Sequence, residues 1–353
     1  MAPISHTKVV TAWLPIRSTI FDDDVHSEAA GSCIQSFLIA LPEVLPILAP
    51  EVSAISISDE PPEKGVMDSL SRNSSVIASP LFDFYGIIAT VSFVDTRNNP
   101  EQGSDMSYLD AIAAYYLEKA LSLALQLSEL AYPGTIFTSE GLVTDGNMAL
   151  MEIEKKYSLS CCHPRELAQN DWPEIKFIDL TLVAVWAKSI GFSESSFATT
   201  RVQRTLAAFT HVLGLGWRHD GEILFRSMQG LESFYCDGIG DLRRQLSHKS
   251  RIWLGANPEK LNIVGHLYDL RSKFIHGAAK MQYWHDVSDP WEEDNKTMEH
   301  FSGGVELAIR ILLSTLQRCI LESVKDVNWN YVCQTEPSSS AGSPSSVGTK
   351  YPH

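Results

Sequence analysis

Cysteine is scarce in this 353-residue chain, and its scatter excludes more than its number does. The six are Cys33, Cys161, Cys162, Cys236, Cys319 and Cys333, with no C-x-x-C pair among them. Neither a disulfide framework nor a dithiol redox motif is readable from that spacing. Cys161, Cys162 and His163 stand together, but no second half of a tetrahedral ligand set follows at zinc spacing, so reduced thiols and no metal are expected. Also missing is the uncharged apolar run of ~18 or more residues that a spanning helix needs. CIQSFLIALPEVLPILAP, from Cys33 to Pro50, comes nearest and carries Gln35, Glu43 and three prolines. The opening MAPISHTKVVTAWLPIR lacks the basic head and long apolar core of a secretory signal. A cytoplasmic protein without membrane association is the expectation. No Walker-type glycine loop, G-x-S-x-G turn or H-E-x-x-H helix is present, so no cofactor is called for and three common catalytic designs drop out.

Excess positive charge is lacking too. The chain has 28 Lys and Arg against 43 Asp and Glu, a net charge of −15. Residues 1–200 hold 11 basic and 26 acidic residues, which carries the whole imbalance; residues 201–333 hold 16 of each. A broad, sequence-independent grip on a polyanion is therefore excluded, while the neutral C-terminal part still permits a local basic cleft. With 44% hydrophobic and 20% charged residues, the composition is that of a globular protein, long enough for about two or three domains.

The pattern divides the chain in three. Residues 1–190 read as an α+β region of no identifiable family, serving to sense or bind something. HTKVVTAWLPI, VSAISIS and GIIATVSFVD have strand character, and DAIAAYYLEKALSLALQLSELAYPG is a helix stopped by Pro133–Gly134. A helix near Cys33–Leu41 is expected to break at Pro42, Pro46 and Pro50. TIFTSEGLVTDGNMALMEIEKKY reads as strands with turns at Glu140–Gly141 and Asp145–Gly146. FDDDVHSE, residues 21–28, is a solvated acidic loop rather than a metal site. Residues 200–333 change to helical periodicity, with five successive helices. The first places Val202, Leu206, Phe209 and Leu213 inward, and the second Ile223, Leu224, Leu231 and Phe234. The third ends at Gly255, the fourth starts with Asn257 as N-cap and Pro258 behind it, and the fifth begins near Gly303. Short glycine-containing connections suit an antiparallel bundle. Residues 334–353 are Ser/Pro/Gly-rich and are expected to be disordered.

The chemistry concentrates in the fourth helix, at YDLRSKFIHG, residues 268–277. Ile263, Leu267, Leu270 and Phe274 make one apolar stripe. On an ideal helix Arg271 and His276 then lie roughly 140° apart. They cannot work as an i, i+4 pair. Either the helix loosens before Gly277, or the two serve a site shared with another subunit, or they are separate bases near a helix end, where the dipole favours them. Arg243, Arg244, His248, Lys249 and Arg251 form a basic run on the third helix, readable as a solvated face or as an RNA track. Tyr283, Trp284, His285 and Trp291 give the loop that follows an aromatic character, suited to packing on the bundle or to base stacking.

YDLRSKFIHG resembles the arginine, four residues, histidine motif of HEPN domains, in the ApeA-like variant. Leu267, Tyr268, Leu270, Arg271, Ser272, Lys273, His276 and Gly277 fit that variant's phrase, and MQGLESFY (Met228–Tyr235) and LRRQLSHKSRIWLG (Leu242–Gly255) resemble its preceding helices. The resemblance covers about residues 200–330. It implies an all-α bundle that forms a homodimer. Active members are metal-independent endoribonucleases whose arginine and histidine meet at the dimer cleft; silent members keep the fold as interaction modules. Arg271 and His276 are accordingly the candidate catalytic residues, with Ser272 and Lys273 as auxiliaries, and RNA is the candidate substrate. Proteins of this kind look like effectors of phage defence or toxin-type growth arrest.

Overall fold

The structure, a computed structural model, describes residues 4–17, 24–73, 82–95, 106–138, 140–145, 149–153, 159, 172–215, 220–238, 240–257, 262–278 and 294–329. The chain is α+β: an antiparallel sheet with its helices, then a run of helices. In chain order the first half is β1 (Ile4–Arg17), α1 (Asp24–Leu48), β2 (Val52–Ser58), α2 (Lys64–Asn73), β3 (Phe82–Asp95), α3 (Met106–Ala131), β4 (Gly141–Thr144), β5 (Ala149–Ile153) and α4 (Leu180–Ser189). The five strands lie in the order β2-β3-β1-β4-β5. β1 and β3 pair along their whole length, from Ile4 opposite Asp95 to Arg17 opposite Phe82.

Strict alternation makes this sheet two-faced. Val10, Ala12, Leu14 and Ile16 of β1 and Ile87, Ala89, Val91 and Phe93 of β3 are buried in the main core. Helices α1 and α3 pack over that face, and the Lys8–Asp110 ion pair, 2.8 Å, fastens β1 to α3. On the opposite face Trp13, Phe84, Val66, Met67 and Leu142 form a small second cluster. The Trp13 ring needs the bare backbone of Gly86, where a Cβ would sit 2.8 Å from it.

The proline rule fails in α1. The helix runs through Pro42 and Pro46 to Leu48 because Phe37, Leu38, Leu41, Val44, Leu45 and Leu48 keep helical spacing into the core, and tertiary burial outweighs the local penalty. Among the described residues α1 is also the one helix long and apolar enough, by length and composition, to cross a membrane over Gly31–Leu48. Here its apolar face packs against β2, α3 and α4. Helices α2 and α4 are additions to the sequence reading. Asp179 starts α4 by accepting the N–H groups of Thr181 and Leu182 at 2.7 and 3.2 Å.

The second half comprises α5 (Arg201–Leu213), α6 (Asp220–Tyr235), α7 (Leu242–Leu254), α8 (Ile263–Ile275) and α9 (Asp294–Leu321). Thr200 and Gln203 close a reciprocal capping box on α5, and Asp241 caps α7. Helix α8 begins at Ile263 behind Asn262, later than the expected start at Asn257, and Asn262 makes no side-chain cap. Helix α9 starts nine residues before Gly303 (303 − 294) and is the central rod. Ala308, Ile311, Leu312, Leu313, Leu316 and Cys319 are fully buried. Two of its buried hydroxyls are satisfied inside: Thr315 by the Tyr235 hydroxyl at 2.8 Å, Ser314 by the Glu174 carbonyl at 2.9 Å. Gln317 donates to the carbonyls of Leu130 and Lys176 and accepts the Lys176 N–H. One continuous core thus holds residues of both halves.

Past α9, Ser323 takes a positive φ of 52° and the chain returns over α4, α5 and α6. The Val324 carbonyl accepts the Trp186 indole, Asp326 accepts the Arg201 N–H, and the Trp329 indole donates to the Phe234 carbonyl.

Candidate functional site

Helix α8 is seated by its apolar stripe and by two glycines. Phe274 stacks on Phe301 of α9, ring centroids 5.6 Å apart, and its ring lies where a Cβ on Gly221 of α6 would be; Leu270 occupies the same place at Gly304 of α9. Gly221→Ala is therefore expected to lower stability by about 1–3 kcal/mol through overpacking, despite the better helix propensity of alanine. A urea midpoint at or above that of the parent protein would show that Phe274 is not wedged.

Arg271 leaves α8 towards α6. Its Nη2 lies 3.7 Å from Oε2 of Glu232, both side chains about one-fifth exposed, and its guanidinium carbon lies 5.9 Å from the centre of the Phe225 ring. Phe225 and Glu232 are seven residues apart and share one face of α6. The ion pair is longer than a hydrogen bond. Arg271 Nε, Glu232 Oε1 and Ser227 Oγ, all buried, have no hydrogen-bond partner among the described residues. Burial pushes the Glu232 carboxyl up, and the Arg271 charge offsets part of that.

An acid whose folded pKa is raised favours folding most below its unfolded value, near pH ~4.3. The contribution is lost as pH rises through the folded pKa. Glu232→Gln removes this dependence, so the stability of the parent relative to the variant should fall as pH rises from about 4 to 7. Urea titrations in that window measure it, and parallel curves would contradict it.

His276 faces the other way. It is the exposed C-cap of α8, and its N–H bonds to the Ser272 carbonyl at 3.0 Å. Gly277, with φ 68°, turns the chain so that the Ala278 N–H reaches the Lys273 carbonyl at 2.8 Å. The helix does not loosen before Gly277. Within one chain, then, Arg271 points into the bundle and His276 out of it, and the two are not brought together. Ser272 is half-buried and Lys273 exposed.

The basic run of α7 is not one surface. Arg243 forks onto Asp269 of α8 with two 2.9 Å bonds. Lys249 is 1% exposed; its ammonium lies 2.6 Å from Asp237, 3.3 Å from Gln245 and 5.5 Å from the Trp329 ring. Asp237 also takes the Arg201 guanidinium at 2.6 Å, and the hydrogen bond from Lys249 is the main force holding its carboxyl below the usual range. Lys249 is thus a structural cation, contrary to its reading as part of a solvated face or an RNA track, because its place on α7 turns it beneath Trp329. Arg244, His248 and Arg251 remain exposed.

Sequence reading missed Glu232 and Asp237. The available signal was an acid on the Phe225 face of α6, and an acid two residues past the helix end at Tyr235. Burial pushes the Cys236 thiol up to about 12, which keeps it protonated and unreactive at neutral pH. Cys161, Cys162, His163, the FDD of residues 21–23, the aromatic residues 283–285 and 291, and the tail 334–353 lie outside the described residues. No protein-family model, curated protein or solved structure matches the chain.

Proposed function

We propose that residues 200–333 are an ApeA-like HEPN unit that cleaves RNA without a metal as a homodimer. Residues 1–190 would hold it off until a trigger arrives, in a cytoplasmic phage-defence or growth-arrest role. The observation that supports this most is the solvent-facing His276 capping a helix whose Arg271 has an unfilled Nε. Two copies joined at α8 would offer two such histidines to one phosphodiester. One copy removes the proton from the 2′-hydroxyl, which attacks phosphorus. The partner's His276 protonates the leaving 5′-oxygen. Arg271, drawn from Glu232 by the phosphate, meets the charge developing on the equatorial oxygens. Ser272 and Lys273 are auxiliary positions beside it.

A second reading, a catalytically silent dimerisation or interaction module, is favoured by one observation: Arg271 already has a carboxylate partner inside its own chain. Total RNA incubated with EDTA separates the two. Cleavage by the parent protein that is lost in His276→Ala and Arg271→Lys supports the nuclease; equal products from all three proteins leave the silent module.

A further inference from the structure

Removing Arg243 and Lys249 from the α7 basic run leaves a narrower stripe. Arg244, His248 and Arg251 are spaced i, i+4, i+7, which gathers them within roughly 60° of the helix surface. All three are exposed. Arg244 and His248, with Asp241 and Gln245, line a cleft of about 330 Å³. The Asp241 carboxylate is turned to the helix start, where it accepts the Arg244 N–H at 3.1 Å. Neither Arg244 nor Arg251 is engaged by a carboxylate among the described residues.

The stripe also has a direction. Arg243 reaches Asp269, while a Cβ on Gly265 would come within 3.2 Å of Ser247. Chain order therefore runs oppositely in the two helices, and the Arg244 end of α7 points towards the end of α8 that carries His276. A row running from Arg251 past His248 to Arg244, with the cleft at its Arg244 end, fits a chain of phosphates better than a single anion.

We propose that Arg244, His248 and Arg251 bind the phosphodiester backbone of single-stranded RNA and lead it towards the C-terminal end of α8. The choice of RNA rests on the nuclease reading; the anion chemistry does not. In the full chain carrying His276→Ala, binding of a labelled RNA of about 20 nucleotides is measured by anisotropy against salt, with and without Arg244→Gln and Arg251→Gln. The double variant should bind about tenfold more weakly. Its slope of log K against log salt should be smaller by about 1.4, two phosphate contacts at ~0.7 each, with an unchanged urea midpoint. Unchanged affinity and slope overturn the proposal, and so does full displacement of the RNA by low-millimolar inorganic phosphate, which would mark a single-anion pocket. The two ideas fail separately. A parent protein that cuts nothing, but whose binding responds to the glutamines, loses the nuclease and keeps the track. A double variant that binds like its parent loses the track and leaves cleavage to stand.

Discussion

His276→Ala is expected to lower RNA cleavage by about 10²- to 10⁴-fold, the range of a lost general acid or base, while leaving the unfolding free energy from urea titration within about 0.5 kcal/mol of the parent. The imidazole is exposed and the cap bonds of α8 are made by backbone groups. Alanine therefore removes the proton carrier and little else. Arg271→Ala is a poorer probe, because it leaves the mostly buried Glu232 without its cation and mixes a folding cost with a chemical one. Arg271→Lys keeps the charge and removes the planar fork, so a rate loss there reports on phosphate geometry. Retained cleavage in His276→Ala would remove the histidine from the mechanism.

Asp237→Ala should be the most destabilising substitution considered, at about 2–3 kcal/mol. It strands a buried ammonium, and breaking a buried pair from one side is costly. The cost stays below that of a fully buried pair because Asp237 itself is 41% exposed and its attraction to Lys249 is partly screened. The depressed Asp237 carboxyl fixes the pH behaviour. Its contribution is complete above its unfolded pKa, near ~3.9, and is lost as pH falls through the lower folded value. The penalty should be flat above about pH 5 and shrink in stronger acid. Lys249→Met should cost less than Asp237→Ala, since Asp237 can rely on water and on Arg201 while methionine fills the space beneath Trp329. The reverse order in denaturant titrations would place the energy in the carboxylate instead.

These two cases mark how far the sequence was legible. β1 and β3 could be read because one buried face imposes a period of two. Helices α5 and α6 could be read from the helical spacing of Val202, Leu206, Phe209 and Leu213 and of Ile223, Leu224, Leu231 and Phe234, and the end of α7 from Gly255, whose φ of 82° is a local requirement. Helix α1 could not, because the proline rule is local and the core it fills is not. Helix α4 was hidden by LTLVAVWAKS, an apolar run that does not separate a short helix from a buried strand. The motif was visible as residues, and its phase correctly set Arg271 and His276 apart. Their partners were not visible. Glu232 and Asp237 belong to the end of another helix, and no period within one helix says which charge it will meet across an interface.

Gln317 carries a consequence for how any signal could travel. Its amide holds the Leu130 carbonyl at the end of α3 and both backbone groups of Lys176. A hinge needs a stretch of chain whose φ and ψ can swing, whereas these bonds fasten α9 to two points of the first half, the end of α3 and the segment just before α4. Sixteen residues back along the same rod (317 − 301), Phe301 grips Phe274 of α8. A push on the sheet would therefore reach the arginine and the histidine as a displacement of α9, with the helix acting as a lever.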